Sequence, residues 1–264
     1  MKHIKEDPCK FAVANNEQVF DTGEMVFPAE LAEHVRRVAP VLLAGEQVLD
    51  VPEVFHSLLP GGGIQRGWTT RVDGCASSRA LAWALLGEIT TGGRWVAAVN
   101  VEGISLAAAA ELGVAVERVL MVQNVTPDVW AATIGALIGA VDVVVFGEPQ
   151  HRVRPSEYRQ MASRCRERGT VLMELAPDPS TRVGRSGLVG QLQYDLSFQV
   201  DPMQWDGLGR GHGYLQARRV RVAVSGRRAP GQGRHGHFAL PGDDGTLQQL
   251  TPEVDQRPLL AAVK

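Results

Sequence analysis

An α/β fold, with a mainly parallel sheet covered by helices on both faces, is predicted for this chain on three observations. β-rich runs and helical spacings alternate from Trp68 to Leu175, the order in which βαβ units are written. Val141–Phe146 (VDVVVF) is almost continuously apolar, as a central strand buried on both faces must be. Residues that start and stop helices punctuate the alternation. Ser105 and Thr126-Pro127 stand at helix starts, and Gly113 and Gly169 at helix ends, where side-chain caps, a fixed proline φ and a left-handed glycine are each favoured.

The elements follow in order. Residues 1–27 show no sustained periodicity. Pro28 opens a helix with Leu31, Val35 and Val38 at helical spacing and Glu30 and Glu33 near its positive end. Short apolar groups over 47–59 lead into a Gly61–Gly63 turn. A strand over Trp68–Asp73, a Gly74–Ser78 loop and an apolar helix from about Arg79 come next. Arg94–Val101 is β-rich, Leu106–Leu112 is a helix capped by Ser105, and Val119–Val122 is a short strand. The helix from Pro127 runs to about Gly139 and precedes the Val141–Phe146 strand. Tyr158, Met161, Ala162 and Cys165 mark the inner face of a further helix, and Thr170–Leu175 is a strand.

After Pro177 the alternation stops. Asp178–Gly190 reads as a loop, and Gln193–Val200 and Tyr214–Val224 read as strands joined by the glycine-rich Gly207–Gly213. So short a connection makes them antiparallel neighbours. The expected organisation is a helical lead-in over 1–50, a core over 51–225 and a mobile Arg- and Gly-rich tail over 226–264. Within that tail only His237–Leu240 has the pattern to pair as a strand, so truncation after Ser225 is expected to leave the core folded.

Composition narrows the function classes. The chain has 264 residues, 44% apolar and 21% charged, with a formal net charge of −2, which is an ordinary globular balance. Cys9, Cys75 and Cys165 lie far apart with no CxxC pair, so neither a disulfide framework nor a zinc site is indicated and a cytoplasmic setting is expected. The charged N-terminus lacks the apolar stretch of a signal peptide. No segment approaches the ~18 uninterrupted apolar residues of a membrane span. There is no GxSxG elbow to suggest hydrolase chemistry, and the spacing of His235 and His237 is not completed by a third metal ligand nearby.

The stretch Pro60–Ala82 (PGGGIQRGWTTRVDGCASSRALA) carries the strongest local signal. Strand, glycine-initiated loop and helix together aim backbone N–H groups and a helix N-terminus at an anion. Yet the loop is too short for a Walker A motif. Of the 27 cationic side chains only Lys2, Lys5, Lys10 and Lys264 are lysines, so none lies near the loop to reach a phosphate. Gly74, Ser77, Ser78 and Arg79 are the candidate contacts of a degenerate nucleotide loop. The alternative is a plain βα turn.

From about Val51 to Val224 the order of motifs resembles the RecA-type ATPase core. GGGIQRG followed by TTRVDG looks like the entry to the phosphate loop. VAAVNVEGISLAAAAELGVAVERVLMVQ is similar to the segment carrying the catalytic glutamate, which falls on Glu102. AVDVVVFGEP resembles the Walker B strand, with Gly147 where the family has its aspartate and Glu148 one place later. The resemblance is closer to the ImuA-type branch, and in particular to the actinobacterial ImuA-prime form. That form has a similarly degraded loop and a C-terminal stretch like WDGLGRGHGYLQARRVRVAVSGRR followed by LPGDDG.

The resemblance implies a RecA-like, degenerate P-loop NTPase-type fold and an accessory protein of damage-induced (SOS) mutagenesis without catalysis of its own. Its implied partners are a Y-family-like polymerase subunit of the ImuB type and an error-prone C-family polymerase, with RecA as a further candidate. Neither ATP nor Mg²⁺ is expected as a cofactor, and nucleoid association is expected when the protein is active. The alternatives are an active DNA-dependent ATPase of RecA type and a SulA-like division inhibitor.

Two further features carry expectations. Between Gly207 and Gly242 there is no Asp or Glu, against Arg210, Arg218, Arg219, Arg221, Arg227, Arg228 and Arg234. Arg218, Arg219, Arg221, Arg227 and Arg228 are the candidate contacts to a DNA backbone or an acidic partner, a charged edge strand being the alternative. Only Tyr214 interleaves these arginines, so base stacking is not expected. Trp205 reads either as an exposed partner anchor or as a core residue closing the end of the sheet, the core being the commoner place for so large an aromatic.

Overall fold

The computed structural model describes residues 47–251, apart from 75–76, 104, 148, 150, 152, 178–192, 210–211 and 230–232. The expected helix from Pro28, the Asp178–Gly190 loop, Glu148, Arg210 and residues 252–264 lie outside the described residues.

Strands β1 (Val48–Asp50) and β2 (Gly63–Gln65) form a small antiparallel pair beside the main sheet. The main sheet has nine strands in the order β11-β10-β9-β8-β3-β7-β6-β4-β5. These are β3 (Thr69–Gly74), β4 (Val96–Val99), β5 (Val119–Val122), β6 (Val143–Phe146), β7 (Val171–Leu175), β8 (Leu196–Gly209), β9 (His212–Ser225), β10 (Arg234–Ala239) and β11 (Gln248–Leu250). Neighbouring strands from β5 to β3 pair in parallel, and β8 joins parallel to β3. Beyond it β9, β10 and β11 are antiparallel.

Helices cover both faces of the parallel half. α1 (Ser77–Thr91) packs on one face with α2 (Leu106–Glu111), while α3 (Pro127–Leu137) and α4 (Pro155–Arg168) pack on the other. Strand alternation sorts the two cores: Val143 and Val145 face α1, and Val144 and Phe146 face α3 and α4. α1 is buried on nearly all sides, which is why its sequence shows no polar stripe. Gly87 lets α2 approach it, since a Cβ there would lie 3.1 Å from the Leu112 carbonyl oxygen. The inner face of α4 is Tyr158, Met161, Ala162 and Cys165, and Gly169 ends the helix at φ +72°, as predicted.

Two expectations are corrected. The chain after Ser225 joins the sheet beyond the brief strand expected at His237–Leu240: β10, from Arg234, pairs with β9, and β11 pairs with β10. Phe238 and Leu240 are fully buried against the core, and the Phe238 ring lies 5.0 Å from that of Phe55. A few apolar residues suffice there because the valine face of β9 already offers a surface to extend. The stretch Gly207–Gly213 is also less of a loop than predicted. β8 and β9 continue as a long ribbon with register shifts at Met203 and around Gly207, and bulges of this kind absorb glycines without ending the ladder.

Candidate functional site

In an open parallel sheet the carboxyl ends of the strands form the ligand-binding edge. Here that edge gathers the ends of β3, β4 and β6. β3 ends at Gly74, whose φ is +121° and whose Cβ direction is filled by the Val200 carbonyl of β8. No side chain fits at that position. The Asp73 carboxylate accepts the Gly74 N–H at 2.7 Å, and α1 begins at Ser77, so only residues 75–76 separate strand from helix.

Ser77 and Ser78 are buried, and neither hydroxyl has a hydrogen-bond partner. They lie inside the α1 interface and present no open surface. Arg79 Nε donates to the Glu102 carbonyl at 2.9 Å. The sequence-predicted Arg79 and Glu102 are therefore brought together, but through the backbone of Glu102, whose side chain is exposed.

Gly147 follows β6 and donates its N–H to the Val99 carbonyl at 3.1 Å. A Cβ at Gly147 would fall inside the van der Waals shell of the Asn100 carbonyl oxygen. Asn100 takes φ +47°, a left-handed conformation that asparagine tolerates better than most residues. Its side chain holds that turn by donating to the Val125 carbonyl at 2.7 Å and accepting the Val125 N–H at 2.9 Å. The space that an aspartate at 147 would need is occupied by the neighbouring turn.

A buried polar cluster across β3, β7 and the entry to β8 was not singled out from the sequence. Arg71 pairs with Glu174 at 2.8 Å and with Asp73 at 2.9 Å. The Tyr194 hydroxyl donates to Glu174, and the Arg71 guanidinium lies 5.7 Å from the Tyr194 ring centre. Nearby, Asp195 accepts the N–H and hydroxyl of Thr69 at 3.0 and 3.1 Å and pairs with Arg227 at 2.8 Å.

Burial pushes the Glu174 carboxyl above its ordinary value, with Arg71 opposing. Burial also raises the Tyr158 and Tyr194 hydroxyls. Burial pulls the Arg71 guanidinium down, but Glu174, Asp73 and Tyr194 together leave it raised. The Cys165 thiol, buried under α4, is pushed up to about 12 and is not a nucleophile at neutral pH. The charges of the cluster are mutually satisfied, so it ties β3, β7 and β8 together and leaves no free acid or base. The available sequence signal was the pair Arg71 and Asp73, two apart on one face of a buried strand.

The basic segment is less one-sided in space than in sequence. Val220, Val222 and Val224 of β9 are fully buried, with Arg219 and Arg221 on the opposite face, as predicted. Antiparallel pairing with β8 then brings carboxylates alongside. Arg219 pairs with Asp206 at 2.7 Å, while Arg221 lies 4.0 Å from Asp201 and Arg228 lies 4.0 Å from Asp195. Arg218 points to the other face, its guanidinium 4.7 Å from the centre of the Trp205 ring. Trp205 is 42% exposed, so of its two readings the one that places it in the core is corrected. It lies beyond Val200, where the pairing of β8 with β3 ends, and beyond the irregularity at Met203.

Among the described residues no cluster of His, Cys, Asp and Glu is arranged to hold a metal ion. No described helix is long and apolar enough to cross a membrane.

Fold and edge together define an α/β protein with a large, mostly parallel sheet, in which backbone carbonyls crowd Gly74 and Gly147 at the carboxyl ends of the strands. The family described as the MT3502 N-terminal domain matches residues 57–180, a span running from before β2 through β7. The chain is also 28% identical over 202 residues to the uncharacterized protein Rv3395c of Mycobacterium tuberculosis (strain ATCC 25618 / H37Rv), which takes in 75% of this chain and 92% of that protein.

Proposed function

We propose that this protein is a RecA-like accessory subunit of a mutagenic translesion-synthesis complex of the ImuA-prime type. It acts by holding other subunits and turns over no nucleotide of its own. Gly147 carries this reading. In the RecA-type core that the motif order resembles, this position supplies the carboxylate for the metal, and here the Asn100 carbonyl stands in the way of any side chain. Phosphoryl transfer rests on aimed charges, and loss of one such group costs roughly 3–4 kcal/mol of barrier. A chain without an internal lysine and without this aspartate has lost two.

The similarity to a mycobacterial protein over most of its length supports the actinobacterial setting. The partners proposed are a Y-family-like polymerase subunit and an error-prone C-family polymerase, in the nucleoid after DNA damage. The test combines phosphate release with co-purification from damaged cells. The expected outcome is no protein-dependent release above background, together with recovery of the polymerase subunits. Release that disappears in Glu102→Gln would establish an active ATPase instead.

A further inference from the structure

The ribbon formed by the outer halves of β8 and β9 is the most exposed apolar element described. Pairing of β8 with β3 ends at Val200, and pairing of β9 with β10 ends at Arg219. Past those points Arg218 still donates its N–H to the Pro241 carbonyl and accepts the Leu240 N–H, and beyond it the ribbon has no described sheet partner on either edge. It carries Met203 at 54%, Trp205 at 42%, Tyr214 at 72% and Leu215 at 52% exposure. The register shift opposite Gly207 falls between Ala217 and Gly213 on β9 and spans Tyr214 and Leu215, both of them exposed. Isolated exposed apolar residues are ordinary, but four on one projecting element mark an interaction site.

Charge specifies the occupant. On the face shared by Trp205 and Arg218 the guanidinium stacks on the indole, and Arg218 Nε is buried without an acceptor. The carboxylates of the ribbon, Asp201 and Asp206, lie on the opposite face and are engaged by Arg221 and Arg219. Among the described residues the Trp205 face therefore has no counterion, while the carboxylates behind it disfavour a polyanion. Met203 and Leu215 offer no platform for a base. Aromatic residues, methionine and arginine together are the composition of a protein-interface core.

We infer that this ribbon, through Met203, Trp205, Tyr214, Leu215 and Arg218, is the docking element for a protein partner that presents apolar side chains around a carboxylate. The inference rests on the accessory-subunit reading and names the surface that serves it.

The experiment measures binding of the full-length chain to the purified Y-family-like polymerase subunit. The variants are Tyr214→Ser with Leu215→Ser, Trp205→Ala, and Arg218→Glu. Leu106→Ser with Val129→Ser, exposed apolar residues elsewhere, is the control. Each ribbon variant is expected to weaken binding by about tenfold or more, as truncation of interface hot spots does, and the control to leave it unchanged. Hydrogen exchange on the unmutated chain is expected to show new protection at 203–206 and 212–217 when the subunit is added, a readout independent of how the variants fold.

Ribbon variants that bind as tightly as the unmutated chain, or protection confined to other elements, would overturn the inference while leaving the accessory reading standing. An unmutated chain that does not bind the subunit at all would overturn the accessory reading, and the inference with it. Ribbon variants that lose affinity for a single-stranded oligo-dT probe and keep the subunit would reassign the surface to nucleic acid.

Discussion

At the scale of single residues, the site is defined by what the backbone leaves no room for. Gly147→Asp would restore the carboxylate of the RecA-type pattern, but its Cβ would collide with the Asn100 carbonyl. The expected result is a loss of about 1–3 kcal/mol from overpacking, read as a lower urea midpoint with an unchanged slope, and no gain of ATP binding. A stable variant that binds Mg-ATP would show that the neighbouring turn yields. Glu174 gives a pH signature. Its folded-state pKa is raised by burial from an ordinary 4.5, so between that value and the raised one the folded state holds more protons than the unfolded state. Stability from this group is then greatest below about pH 4.5 and declines as pH rises through the raised value. Glu174→Gln should remove that part of the slope, and it should also destabilise, by less than the roughly 3–5 kcal/mol of a broken buried pair, because Asp73 still pairs with Arg71 at 2.9 Å. A pH profile of urea midpoints that is parallel for the two proteins would refute the assignment.

At the scale of elements, the C-terminal strands are the main revision. Phe238 and Leu240 are fully buried against the face that carries Val220 and Phe55. Truncation after Ser225 is therefore expected to expose that core and strip β9 of its partner, with loss of a sharp melt. Phe238→Ala alone should cost about 3–5 kcal/mol, as large-to-small core changes do. A truncated protein that melts cooperatively at the original temperature would restore the reading of a dispensable tail. The contrast with the parallel half shows what the sequence makes legible. Val143–Phe146, Pro127 and Gly169 announce their elements by apolar run, fixed φ and left-handed cap, all local effects. Strand β10 was only partly legible, at His237–Leu240, because its few apolar residues acquire their full meaning only from a distant partner surface. The Arg71–Glu174–Tyr194 cluster was hidden for the same reason, since Arg71 lies 103 residues from Glu174 and is joined to it by the register of β3 on β7.

At the scale of the whole molecule, the question is how far the arginine-rich run governs association. A stretch with no carboxylate over thirty-odd positions suggests a polyanion surface, and the seven arginines would neutralise about as many phosphates if all reached one duplex. Folding redistributes that charge, because β8 and its entry bring Asp195, Asp201 and Asp206 against Arg227, Arg221 and Arg219, and the chain as a whole carries a net charge of −2. Each phosphate contacted contributes about −0.9 to the slope of log K against log salt on duplex DNA. Seven free arginines would give a slope near −6 by that rule, whereas the three described ones outside those pairs, Arg218, Arg228 and Arg234, give about −3. The expected behaviour is therefore weak, sequence-independent duplex binding with the shallow slope. Arg219→Glu with Arg221→Glu should lose stability through like charges facing Asp206 and Asp201 while changing the DNA slope by less than two phosphates' worth. Fluorescence anisotropy over a salt series, paired with a thermal melt of the double variant, separates the two cases. A steep slope that collapses in that variant would mean that β9 gives up its ion pairs to DNA and that the basic face, rather than the protein-binding ribbon, leads in assembly.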